Sequence, residues 1–89
     1  MIEKTVKIQN KLGLHARAAA LLVQTSNRYA SEITIENDGV EVNAKSIMGL
    51  MMLAAAKGCD VVVRADGQDE AHAMDGVTRL IADRFNEES

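Results

Sequence analysis

At 89 residues, 47% hydrophobic and 26% charged, the chain is too short for a second core and too apolar for a disordered segment, so residues 1–89 are expected to fold as one domain. A net charge of −3 with one tyrosine, one phenylalanine and no tryptophan excludes a nucleic-acid binder that stacks bases on a basic sheet. No apolar run has membrane length and no basic-then-apolar leader opens the chain, so a cytoplasmic protein with no membrane and no nucleic acid among its partners is expected.

In the first predicted strand Ile2, Val6 and Ile8 alternate with Thr5 and Lys7, although Lys4 falls in the apolar register. The run Gly13-Leu14-His15-Ala16-Arg17-Ala18-Ala19-Ala20 then changes from glycine to alanine, which marks a helix start. Along that helix Ala19, Leu22, Val23 and Ser26 fall at i, i+3, i+4 and i+7, leaving Ala16, Arg17, Ala20, Gln24 and Asn27 on the open side. Ile33 and Ile35 alternate with Glu32, Thr34 and Glu36, Asn37-Asp38-Gly39 supplies turn chemistry, and Val40 and Val42 resume the alternation, a hairpin signal. Ser46 is placed to cap a short middle helix, with Gly58 closing the turn after it. That helix is too short to bury Ile47, Met48, Leu50, Met51, Met52 and Leu53 together, so some of them must face solvent.

Asp60-Val61-Val62-Val63-Arg64-Ala65 is a β-branched run between glycine turns and reads as a fourth strand. The lone Cys59 beside it cannot pair within the chain, which suits a reducing compartment, and it reads as a small apolar residue. Last, Ala73, Met74, Val77, Leu80, Ile81 and Phe85 form one helical stripe after Asp69 and Glu70, acids that favour a helix start. The predicted order is βαββαβα.

A histidine at a helix start with an arginine two residues on suits a phosphate. Free N–H groups attract an anion there, and a guanidinium binds phosphate oxygens in a fork. Imidazole is nucleophilic near pH 7 and its phosphoramidate remains a good donor, as a carrier of phosphoryl groups requires. His72 lies off the apolar stripe with no such neighbours and is expected to be exposed and inert. Neither histidine stands at ligand spacing from cysteine or carboxylates, so no metal and no cofactor is expected. All 13 acids lie outside Lys4–Ser31 and Val42–Cys59, the segments that hold His15 and Ser46, so the working face is expected to be neutral to positive.

The octet around His15 closely resembles the active-site segment of the HPr family, the histidine-containing phosphocarriers of the bacterial phosphotransferase system. Asn43-Ala44-Lys45-Ser46-Ile47-Met48-Gly49-Leu50 is similar to the family's second signature, which carries a regulatory serine, and the 31 positions from His15 to Ser46 match the family's spacing. One departure is Ala18, where the family usually has proline. The resemblance implies an α+β fold, an open-faced β-sandwich of four antiparallel strands with three helices over one face. It implies phosphorylation at Nδ1 of His15, with the N–H groups of Ala16 and Arg17 and the Arg17 guanidinium on the phosphoryl oxygens. It implies regulatory phosphorylation at Ser46 and a docking patch of Ala20, Gln24, Ile47, Met48 and Met51.

On that resemblance the chain is a carrier rather than an enzyme, monomeric, taking phosphate from a phosphoenolpyruvate-charged enzyme I and passing it to EIIA-type proteins in sugar uptake. An HPr kinase/phosphorylase and a transcription regulator are further expected partners. Two alternatives stay open: a phosphocarrier of a regulatory, nitrogen-type branch, and a signalling binder of a transcription regulator dependent on phospho-Ser46.

Overall fold

The computed structural model describes residues 1–87. The elements are β1 (Ile2–Lys7), α1 (Ala16–Ser26), β2 (Glu32–Asn37), β3 (Val40–Asn43), α2 (Ile47–Leu53), β4 (Asp60–Asp66) and α3 (Glu70–Ala82), followed by a tight turn at Arg84–Asn86. The four strands form one antiparallel sheet in the order β1-β4-β2-β3. The three helices pack on one face, so the chain has the α+β open-faced sandwich expected of it.

Side-chain alternation sets the two faces of the sheet. Ile33 and Ile35 of β2 and Val61, Val63 and Ala65 of β4 are buried beneath the helices. Burying Val61 and Val63 of β4 contributes at most about 1.5–3 kcal/mol each. The opposite face is polar, and on it Arg64 bonds Glu3, Glu36 and Glu41, each at 2.7 Å. Asp38 and Gly39 both take positive φ, 52° and 83°, the two-residue turn whose twist matches the strands it joins. It sets Ile35 opposite Val42.

Three expectations need correction. Ala18 of α1 is fully buried, and Val23 only half-buried. α2 ends at Ala54, which takes the left-handed conformation itself and donates to Met51 O at 3.3 Å, so Gly58 belongs to the next turn. Asp69 and Glu70 do begin α3, as expected, at the N-cap position and in the first turn; the Asp69 carboxylate makes no cap bond and instead accepts from the backbone N–H of Ala30 and of Ser31, both at 2.9 Å, tying the α1–β2 connection to α3. Finally, Leu80 is half-buried, and Phe85 reaches the core from outside the helix. α3 stops at Ala82, and Arg84, Phe85 and Asn86 follow at φ 57°, 54° and 62°. Left-handed backbone at non-glycine residues costs about 1–2 kcal/mol each, opposed here by complete burial of the Phe85 ring. The turn sends the chain back toward the start of α1.

Candidate functional site

The start of α1 is built by Gly13 and the link after α2. Gly13 has φ +66°, and a Cβ on it would lie 2.5 Å from Ala55 O. Glycine therefore permits the close approach at which Leu14 N–H donates to that same carbonyl at 2.8 Å. His15 follows as the N-cap in extended conformation, and its side chain makes no cap bond. Its carbonyl accepts from Ala19 N–H at 2.8 Å. Among the described residues, the N–H groups of Ala16, Arg17 and Ala18 have no partner. Three donors are thus unpartnered beside the imidazole at the positive end of the helix, those of exposed Ala16 and Arg17 and that of buried Ala18.

The ring itself is anchored. Its Nε2 meets a carboxylate oxygen of Glu87, and an ionised carboxylate can only accept, so Nε2 carries a hydrogen and Nδ1 is the nitrogen that offers a lone pair whenever the ring is neutral. The His15 hydrogen bond, then that of Asn10, hold the Glu87 carboxyl below its ordinary value of 4.5 against the opposing effect of desolvation, and the charges of His15 and Arg17 add to this. Glu87 and Asn10 escaped the sequence reading. They lie 72 and 5 positions from His15 and carry no periodicity or spacing that would connect them to it. The neutral-to-positive face expected from the distribution of charge thus includes one carboxylate, against His15 itself, delivered by the turn after α3.

Arg17 is exposed, and among the described residues it has neither an ion pair nor a side-chain hydrogen bond, leaving its fork available. Ser46 caps α2 and its hydroxyl accepts from Gly49 N–H at 3.1 Å. α1 packs beside α2. Gln24 is exposed and Ala20 half-buried on the first; Ile47, Met48 and Met51 are exposed on the second. Met52 and Leu12, outside the expected patch, are exposed as well. His72 is exposed on α3. A concavity of about 470 Å³, lined by Lys7, Lys11, Lys57 and Arg84 among others, does not include His15. The histidine side chain is half-buried and reaches the surface outside that concavity.

Residues 2–83 match the family model described as "PTS HPr component phosphorylation site", a span that ends before Glu87. The phosphocarrier protein HPr of Xylella fastidiosa (strain Temecula1) is 52% identical over 89 residues, the whole of both chains. The crystal structure of HPr-C-His from Thermoanaerobacter tengcongensis superposes with a TM-score of 0.96 at 48% identity, covering all of both chains. Crh of Bacillus subtilis, described as a dimer with a swapped domain, superposes at 0.76 with 44% identity over 94% of this chain and 97% of that one. An N-cap histidine beside open helix donors lies within the matched span, and on these likenesses the chain belongs to the HPr family, the phosphocarrier proteins of the phosphotransferase system.

Proposed function

We propose that the chain, as a cytoplasmic monomer, accepts a phosphoryl group on Nδ1 of His15 from a phosphoenolpyruvate-charged enzyme I and passes it to EIIA-type proteins. The observation that carries this reading is the His15 ring, anchored through Nε2 beside three unpartnered N–H groups. In the transfer an Nδ1–P bond forms as the bond from phosphorus to the donor breaks, and that electron pair stays with the donor. No proton need leave Nδ1. Positive charge develops on the ring and faces the Glu87 carboxylate through Nε2–H. The phosphoryl oxygens meet the N–H groups of Ala16 and Arg17 and the Arg17 guanidinium. Such catalysis consists of positioning and charge stabilisation within a complex of two proteins. Exposed Ile47, Met48 and Met51 form the docking surface with Ala20 and Gln24, and flexible methionines suit several successive partners.

Ser46 supports a regulatory role beside this one. Its hydroxyl caps α2 next to the exposed Ile47 and Met48, so a phosphate from an HPr kinase/phosphorylase would stand inside the docking surface, and a transcription regulator could read it. The carrier reading is tested by incubating the protein with enzyme I and labelled phosphoenolpyruvate. The expected product carries acid-labile, base-stable phosphate on His15, and label retained by His15→Ala would defeat the assignment.

A further inference from the structure

Asn10 lies in the loop between β1 and α1, has no exposed surface, and has no assigned part in the chemistry above. A buried amide is costly unless bonded, and this one is bonded at one end only. Its Nδ2 donates to Gly13 O at 2.7 Å and to Glu87 Oε1 at 3.0 Å. Among the described residues its Oδ1 has no partner. The two donors are thus both used while the acceptor is idle, which is unexpected of a residue retained for its volume. Reversing the amide would turn its carbonyl toward the Glu87 carboxylate, acceptor against acceptor.

Both contacts lead to His15. Gly13 O also accepts from His15 N–H at 3.0 Å, so Asn10 shares an acceptor with the main chain of the histidine. Glu87 bridges the rest: Oε1 takes the Asn10 hydrogen bond and Oε2 meets Nε2 of the imidazole. The carboxylate stands at the end of a left-handed turn whose buried anchor is Phe85. Asn10 is the second point that orients it.

We infer that Asn10 is a positioning residue for phosphoryl transfer, holding the Glu87 carboxylate against Nε2 of His15 while fixing the carbonyl of Gly13 beneath the histidine. It touches neither the phosphoryl group nor the nucleophilic atom. Its effect reaches Nδ1 through the orientation and charge compensation of the ring. The inference rests on His15 being the carrier, and on residues this chain brings together from positions 10, 15 and 87.

The test compares Asn10→Leu, Asn10→Asp and Glu87→Ala with wild type, each on the full chain and well below its melting temperature. Two spectroscopic readouts address the geometry without any transfer: the 13C titration of the Glu87 carboxyl and the ring 15N resonances of His15. Asn10→Leu is expected to move the Glu87 midpoint upward and to shift the Nε2 resonance in the direction that Glu87→Ala shifts it. Its limiting rate of transfer from enzyme I should fall roughly three- to tenfold, the scale of coupling within one hydrogen-bond network, with the half-saturating concentration unchanged. On the Glu87→Ala background the same substitution should cost nothing more. Asn10→Asp preserves the shape but opposes a carboxylate with a carboxylate, so it should reproduce or exceed the Asn10→Leu effect, and it decides the question should the leucine variant fail to fold. Wild-type Glu87 and His15 resonances in the folded variants would overturn the inference, as would additive losses in the double variant. If wild-type His15 accepts no phosphate, the carrier reading fails, while the two resonance readouts still judge the geometry.

Discussion

At the scale of single residues, the helix start contains two positions that test the site in different ways, one at the surface and one in the core. Arg17 is exposed, and a guanidinium meets phosphate oxygens with two parallel donors where an ammonium is a point charge. Arg17→Lys should therefore slow transfer about tenfold or more while leaving the melting temperature within a degree or two, a loss of about 1.4 kcal/mol in transition-state binding. Unchanged single-turnover kinetics would remove Arg17 from the site. Ala18 is different because it is fully buried and its N–H has no partner among the described residues. Proline in the first turn sacrifices only an orphan donor and restricts the unfolded chain, so Ala18→Pro should gain up to about 1 kcal/mol or leave stability unchanged. A marked fall in melting temperature would mean that the cavity around Ala18 cannot take the ring.

Among the elements, α2 is the most sensitive to charge. It has about two turns beyond its cap, Ser46 holds Gly49 N–H, and no acid lies in its first turn. Negative charge at the cap favours the positive end of the helix, so Ser46→Asp should keep the fold. The same charge stands beside exposed Ile47 and Met48 and opposes an acidic partner. One pair of unit charges about 10 Å apart at an effective dielectric of about 20 repels by about 1.7 kcal/mol. Ser46→Asp should therefore weaken the apparent affinity for enzyme I on the order of tenfold at low salt, and less as salt screens the pair. Equal apparent affinity of the two proteins at low salt would refute the electrostatic account, and a collapsed melting temperature would locate the damage in α2 itself.

For the whole molecule, two carboxylates fasten distant segments and make stability depend on acid. Asp69 is held below its ordinary value of 3.8, chiefly by the Ser31 hydroxyl and then by the Ala30 N–H. Glu87 is held below 4.5, chiefly by His15. A carboxylate that is more acidic in the folded than in the unfolded chain contributes its stability in full above the unfolded pKa, and loses it as pH falls through the folded one. The melting temperature should accordingly decline below pH 4.5. Asp69→Asn should flatten the part of that decline below pH 3.8, and Glu87→Gln the part below pH 4.5. Melting curves parallel to wild type across this range would show that neither carboxylate contributes. No helix among the described residues is long and apolar enough to cross a membrane.

By itself the sequence determined what repeats locally or is spelled out in adjacent residues. The alternation of Ile33 and Ile35 defined the buried face of β2, the β-branched run Val61-Val62-Val63 a further strand though not which of its valines face the core, the Asp38-Gly39 pair the hairpin, and Ser46 the cap of α2. The start of α1 was equally legible, because the glycine, histidine and arginine that shape it are neighbours in the chain. Tertiary structure alone decided what depends on where the backbone returns. Phe85 continues the helical stripe in sequence but enters the core through a left-handed turn, since three-dimensional packing outweighs local preference when a large ring can be buried. Through that turn Glu87 reaches His15 across 72 positions and joins Asn10. Neither residue has a local signal, because one hydrogen bond between distant segments leaves no period in the sequence. The charge distribution along the chain suggested a neutral-to-positive face around His15, and folding alone brought the Glu87 carboxylate to it.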